Sequence, residues 1–183
     1  MRGAVSRGLF VGRFQPFHLG HLEAAKYAMK KVEQMVVVIG SAQYSHTVSD
    51  PFTAGERVMM IKAALDEARF ERSSYFIIPV EDINYHCIWV DHIKALTPSF
   101  SVVFSNESLT KRLFKEAGME VEPIPFFSRE KYSATEIRSR MLDREDWESL
   151  VPKSVAKFIK EVEGVQRIQE LALSDKPNSR HLV

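Results

Sequence analysis

Residues 8–21 read G-L-F-V-G-R-F-Q-P-F-H-L-G-H and set Arg13, His18 and His21 around a proline-containing loop. The short apolar run that breaks at Gly12 reads as a strand, and the pattern after Pro16 reads as the start of a helix. Two imidazoles three residues apart, with Gly20 between them, then share one face of a first helical turn whose N–H groups lack intrahelical partners. Such a turn, with cationic side chains gathered at it, attracts phosphate. An isolated H-x-G-H usually marks two surface histidines; Gly12, Arg13 and the strand before them argue against that here.

Two further helix starts carry charge. The run T-A-G-E at 53–56 reads as a capping box with Arg57 directly after it, in a first turn where a positive charge opposes the helix dipole. Arg57 is either an exposed arginine paired with a nearby acid or the holder of the long polar loop 41–52 or of a phosphate, and the residue types leave these readings even. The run S-A-T-E at 133–136 is a second capping box. It accounts for Ser133 but not for Arg138, which sits one turn further in and would add charge to the free N–H groups of a phosphate site.

The elements that must position these groups alternate strand and helix. After the first strand, Leu22, Ala25, Met29 and Val32 fall at helical spacing. Residues 36–40, V-V-V-I-G, form a β-branched run of the kind buried on both faces of a parallel sheet, so the first unit is β-α-β with a right-handed crossover. Loop 41–52 lies at the carboxyl end of that strand, where ligands collect in open α/β sheets. Val58, Ile61 and Leu65 give the next helix an apolar face. Further strands are predicted at 75–80, 101–104 and 121–124, the last at an edge because of Pro123. Segment 81–90 runs into one helix and 109–117 forms another, which Gly118 stops. From Ser133 helix is predicted to about Leu173, with breaks near Pro152 and Gly164. The fold class is α/β, a Rossmann-like doubly wound parallel sheet of about five strands with a small C-terminal helical subdomain. We expect a single domain with its core at 7–131, helices at 132–173 and a flexible tail at 174–183.

A chain of 183 residues, 45% of them hydrophobic, suffices for one well-buried domain and is short for two. With 25 basic against 24 acidic residues the net charge is +1, which demands neither nucleic acid nor membrane as a partner, so any phosphate binding is local. Cys87 is the single cysteine; it leaves no intrachain disulfide or cysteine-based zinc site and suits a reducing cytosol. No apolar run approaches the roughly 20 residues that span a bilayer, and no signal-peptide core precedes the first strand. The expected localisation is cytoplasmic.

The ten-residue form G-R-F-Q-P-F-H-x-G-H at 12–21 resembles the signature of nicotinamide mononucleotide (NMN) adenylyltransferases of archaeal type, within the HxGH nucleotidyltransferase α/β superfamily. The run Y-S-A-T-E-I-R at 132–138 resembles their S-x-T-x-x-R motif, and D-I-N-Y-H-C-I-W at 82–89 resembles their nicotinamide-binding loop. The match extends from residue 7 to about 173. It implies adenylyl transfer from ATP to NMN, giving NAD and pyrophosphate. A phosphate nucleophile is already anionic, so the task is to hold two repelling anions in line and neutralise charge rather than to supply a general base.

The resemblance implies that His18 and His21 meet the ATP phosphates, that Arg13 lies near the reacting centre, and that Ser133, Thr135 and Arg138 hold the pyrophosphate end. Gly12, Phe14, Gln15, Gly20, Ser105 and Asn106 complete the implied ATP site. For the acceptor it implies Arg13, Ser41, Asp82, Ile83, His86, Trp89 and Phe127, with Trp89 stacked on the cationic pyridinium ring; otherwise a lone tryptophan at a helix start packs into the core. His86 stands where the family pattern has asparagine, S-N-E-S-L at 105–109 where it has S-G-N-P-L, and Ser49 where some relatives carry a basic residue. Mg²⁺ or another divalent cation is expected, held by phosphate and water rather than by protein side chains. A homo-oligomer is implied, a hexamer being the form suggested. Competing readings keep the fold and change the acceptor to nicotinic acid mononucleotide, phosphopantetheine or flavin mononucleotide, or keep nucleotide binding without catalysis. Intact His18, His21 and Arg138 weigh against the last.

Overall fold

The computed structural model describes residues 5–125 and 132–174, so Phe127 and the tail expected at 174–183, apart from Ser174 at the end of the last helix, lie outside the described residues. The elements run β1 (Arg7–Gly12), α1 (Leu19–Met29), β2 (Gln34–Ile39), α2 (Ala54–Glu67), β3 (Tyr75–Pro79), α3 (His86–Leu96), β4 (Val102–Phe104), α4 (Ser108–Glu116), β5 (Glu120–Glu122), α5 (Ala134–Asp143), α6 (Lys153–Glu161) and α7 (Gly164–Ser174). The five strands form one sheet in the order β3-β2-β1-β4-β5, and every pairing is parallel. This is the doubly wound arrangement predicted from the alternation of elements. The order reverses between β1 and β4, which opens a crevice at their carboxyl ends. Among the described residues no helix is long and apolar enough to cross a membrane.

Side chains alternate across the pleat, so each strand feeds two cores. Leu9, Val36, Val38 and Val103 meet Val90 and Ile93 of α3 and Phe114 of α4 on one face. Phe10, Met35, Val37, Ile39 and Phe104 meet α1, α2 and the C-terminal helices on the other. Gly8 is required where β1 passes β4, since a Cβ there would stand 2.4 Å from the Phe104 ring.

Several boundaries differ from the sequence reading. Helix α1 ends at Met29, and Val32 reaches the same core from the following loop. Strand β5 is at the edge as expected but stops at Glu122, ahead of Pro123, whose missing N–H cannot extend a ladder. The C-terminal helices break first at Arg144, which adopts φ 60°, and a 3₁₀ turn at Glu148–Leu150 follows. Trp147, Leu150 and Val151 are buried there, so burial overrides a continuous helical pattern. The break expected near Gly164 is present, with α6 ending at Glu161 and Gly164 opening α7. Its missing side chain admits the Phe52 ring, 2.6 Å from where a Cβ would stand. The Thr53–Glu56 capping box is complete. At α5 only the Ser133 half is present, because Glu136 turns to Arg140 at 2.8 Å.

Arg57 decides how loop 41–52 sits. It is fully buried, which overturns the reading as an exposed, acid-paired arginine and bears out the reading as the loop's holder. Its Nη1 donates to the carbonyls of Arg13 (3.1 Å) and Gly40 (3.0 Å). Its Nη2 donates to those of Ser41 (3.2 Å), Ala42 (3.2 Å) and Tyr44 (3.3 Å), and Nε to that of Thr53 (3.3 Å). The fixed fork of five donors matches carbonyls converging from the ends of β1 and β2, which a single ammonium cannot do. At the base of the same loop, Arg167 of α7 binds both carboxylate oxygens of Glu56 at 2.8 Å and the Pro51 carbonyl at 3.1 Å.

Arg57→Lys is expected to destabilise the fold by about 3 kcal/mol or more, because several buried carbonyls at about 1–3 kcal/mol each lose their donor. Urea unfolding measures the loss, and faster amide exchange confined to 40–50 would locate it.

Candidate active site

The crevice between β1 and β4 holds a cleft of about 430 Å³ lined by Arg13, Gln15, His18, Gly20, His21, Ser105, Asn106, Ser133 and Arg138, among others. The two sequence motifs, more than a hundred residues apart, therefore face one space.

His18 is the N-cap of α1 and His21 its third residue, and each ring caps the other's backbone. The His21 N–H donates to His18 Nδ1, and the His18 N–H donates to His21 Nδ1, both at 3.3 Å. The rings stack at 3.5 Å and 20°. With both Nδ1 atoms accepting, each ring carries its proton on Nε2, and that N–H is what it offers the cleft. Burial pushes His18 down to about 4. Burial first, then the neighbouring His18, hold His21 well below the usual histidine range. The sequence reading of cationic histidines is corrected: at neutral pH the pair is uncharged, because two stacked rings in a buried corner cannot shed the cost of desolvating charge. The ring of His21 rests edge-on against Phe14 at 4.8 Å and tilted against Phe17 at 5.4 Å. Gly20 is fitted closely: a Cβ would stand 3.1 Å from the His18 ring.

Positive charge comes from the arginines. Arg13 projects into the cleft and is paired with Asp50 at 3.3 Å. Arg138, buried, donates to the Gln15 carbonyl at 2.8 Å and to Thr135 Oγ1 at 3.5 Å. Burial, then the Arg13 charge, lower the Arg138 pKa, opposed by Asp50; the guanidinium stays protonated regardless. Asp50 was not singled out in the sequence, although it is the sole carboxylate between Glu33 and Glu56.

Two side-chain amides act as backbone substitutes. Gln15 donates to the Phe52 carbonyl (2.8 Å) and accepts from its N–H (3.0 Å), fastening the β1 loop to the base of loop 41–52. Asn106 does the same to Ile124, at 2.6 and 3.1 Å. The buried hydroxyl of Ser105 accepts from the Glu107 N–H, and the Glu107 carboxylate caps α4 through Leu109 and Thr110. Phe14, with φ 53°, lies in the core under His21, and Gly12 makes room for it, a Cβ there standing 2.7 Å from the ring.

Of the residues that the resemblance assigns to the acceptor, Asp82, His86 and Trp89 line a separate cavity of about 190 Å³ together with Asn84, Leu109, Thr110 and Leu113, whereas Arg13 lines the first cleft. Trp89 is half-buried and meets Phe114 edge-on at 5.6 Å. Ser41 Oγ donates to Asp82 Oδ2, and the Gln43 side chain clamps the Asp82 backbone through both its N–H and carbonyl. Ile83 is half-buried, outside this lining. Among the described residues no group of three or more His, Cys, Asp or Glu could hold a metal.

A family model described as cytidylyltransferase-like matches residues 9–140. The nicotinamide-nucleotide adenylyltransferase of Thermococcus sibiricus is 48% identical over 176 residues, covering 96% of this chain and 95% of the relative. That of Saccharolobus solfataricus is 48% identical over 172 residues, covering 94% and 100%. Among solved structures, a bifunctional NMN adenylyltransferase/ADP ribose pyrophosphatase from Francisella tularensis, complexed with AMP and a manganese ion, superposes with a TM-score of 0.74 at 22% identity. The match covers 93% of this chain, which spans about half (52%) of that one. At that identity the likeness is one of fold.

A histidine held neutral in the fold ties stability to pH. The unfolded chain binds a proton at 6.5 that folded His18 refuses until about 4, so stability is full above 6.5 and is lost as pH falls from there toward 4. The gap corresponds to roughly 3 kcal/mol. Urea midpoints across that window should fall with pH, and less steeply in His18→Asn, which keeps a capping acceptor but does not titrate.

Proposed function

The chain belongs to the cytidylyltransferase-like family and, within it, to the nicotinamide-nucleotide adenylyltransferases, and from that premise we propose how its residues carry out the reaction. The enzyme transfers the adenylyl group of ATP to NMN, giving NAD and pyrophosphate. The observation that carries the reading is the meeting of His18, His21, Arg13 and Arg138 at one cleft in the sheet's crevice.

An oxygen of the NMN 5′-phosphate attacks the α-phosphorus of ATP, and the bond from that phosphorus to the bridging oxygen of the β-phosphate breaks. No proton need be removed from the nucleophile, so the residues act by position and charge. The Nε2–H groups of His18 and His21, prearranged by their mutual capping, donate to the phosphate oxygens on which charge gathers. Neutral rings suit this role, since they strengthen their bonds as charge develops without holding a ground-state anion at full electrostatic strength. The N–H groups of Leu19 and Gly20 at the same helix start add to the cradle. Arg138, tied to the β1 loop through Gln15, meets the departing pyrophosphate together with Ser133 and Thr135, and Arg13 bridges the two reacting anions. Gln15 and Asn106, whose amides are spent on Phe52 and Ile124, keep the walls of the ATP site in place. A divalent cation, Mg²⁺ in this proposal, enters as part of the substrate on phosphate oxygens and water, in keeping with a cleft whose donors are mostly N–H groups.

For the acceptor, Trp89 presents the ring face, with Asp82, Ile83 and His86 on the same loop and Ser41 bound to Asp82; Phe127 belongs to this set by resemblance. A homo-oligomer, hexameric, and a cytoplasmic location complete the proposal.

Coupled assays for dinucleotide formation, with ATP and each of NMN, nicotinic acid mononucleotide and phosphopantetheine, test the reaction. NMN is expected to turn over; turnover of phosphopantetheine with none of NMN would overturn the assignment. Trp89→Ala should raise the KM for NMN by about fivefold or more, the value of one desolvated stacking contact of order 1 kcal/mol. The KM for ATP should hold, whereas equal losses for both substrates would mark Trp89 as a packing residue for Phe114.

A further inference from the structure

The Arg13–Asp50 pair is asymmetric in a way the reaction does not account for. The Arg13 side chain is 57% exposed and lines the cleft; Asp50 is 11% exposed and stands behind it. Asp50 is fixed from every side. Its Oδ2 accepts from Ser49 Oγ at 2.9 Å, its N–H donates to Thr47 Oγ1 at 2.9 Å, and its carbonyl accepts from the Thr47 N–H at 3.3 Å. The next two residues are clamped as well, Pro51 by Arg167 and Phe52 by Gln15. Arg13 instead holds Asp50 through one hydrogen bond at 3.3 Å, which uses one of its five donors. Arg57 and Arg138 also feel the Asp50 charge. One carboxylate, pinned within its own loop, thus pairs with Arg13 and lies within electrostatic reach of two further guanidinium groups, at the edge of the cleft read as the polyphosphate site.

We propose that Asp50 is the positioning residue and standing counter-ion of Arg13: it holds the guanidinium at the cleft and, by its negative charge, limits how tightly the cleft binds the polyphosphate it must release. This rests on the reading of the cleft as the ATP and pyrophosphate site. Substrate phosphate competes with Asp50 for Arg13 on entry, and Asp50 recovers Arg13 as pyrophosphate leaves. An exposed arginine with no such partner would sample many rotamers and bind anions at a larger entropic cost. One with a fully buried partner could not exchange it.

Two variants separate charge from position. Asp50→Asn keeps an acceptor for Arg13 and removes the charge; Asp50→Ala removes both. Binding of inorganic pyrophosphate, measured by calorimetry, should tighten in Asp50→Asn by about threefold to tenfold, the scale of one partly screened charge at close range. The tightening should shrink when Arg13 is also replaced by alanine, since the coupling runs through that residue. Steady-state kcat/KM should fall by about tenfold or more in Asp50→Ala and by less in Asp50→Asn, which keeps an acceptor for Arg13. Unchanged pyrophosphate affinity in a folded Asp50→Asn, or a gain undiminished without Arg13, would overturn the proposal. Should Asp50→Ala fail to fold, Asp50→Asn and its pairing with Arg13→Ala decide alone. Wild-type protein that forms no dinucleotide from ATP and NMN would sink the underlying assignment instead, and that control is run first.

Discussion

The guanidinium of Arg57 is the constraint on which the rest of the site depends. A parallel sheet leaves carbonyls unsatisfied where its strands end, and here β1 and β2 end side by side at the mouth of the crevice. Arg57 takes up the carbonyls of Arg13 and Gly40 and three more along the loop that follows. A polar loop that would otherwise stay in water is thereby folded back over the sheet edge. Burying one unpaired charge to do so is tolerated because its five donors all find oxygen, and the Asp50 charge opposes part of the desolvation.

From that anchor the positions of the other groups follow. The loop turns at Asp50, Pro51 and Phe52, and those residues hold Arg13 and Gln15 from below. Helix α7 presses on the same turn through Arg167 and through the gap left at Gly164, and Gln15 in turn offers its carbonyl to Arg138 of α5. The chain of contacts from the C-terminal helices to the cleft between β1 and β4 is continuous and polar at nearly every link, so these helices are a structural wall of the site and not an appendage.

Electrostatic work is divided between two kinds of group. In the proposed reaction the arginines carry fixed charge and attract the anions, while the histidines, kept neutral by burial, supply directed N–H groups. Stacked as they are, both rings could not be charged at once, and the structure resolves the conflict by using each Nδ1 to cap the helix. In the proposed reaction local folding chemistry and ligand chemistry thus fall to opposite edges of the same two side chains.

What the sequence by itself determined is the set of elements and the two reaction motifs. Apolar runs, capping residues and the spacing of His18, Gly20 and His21 are local, and local patterns survive without knowledge of the partner. The five-strand sheet, the edge position of the last strand, the Thr53 cap and the stop at Gly118 were legible for that reason. Tertiary structure decided the rest. Whether Arg57 faced water or the loop could not be read from its neighbours, because the carbonyls that claim it come from three segments. Asp50 looked like an ordinary turn residue until Arg13 was brought beside it. The amides of Gln15 and Asn106 gave no sign that they would serve as strand partners, and the histidine charge depended on burial that only packing creates. Identity and spacing are inherited from the chain, whereas protonation, exposure and the choice of partner are properties of the space into which the chain folds.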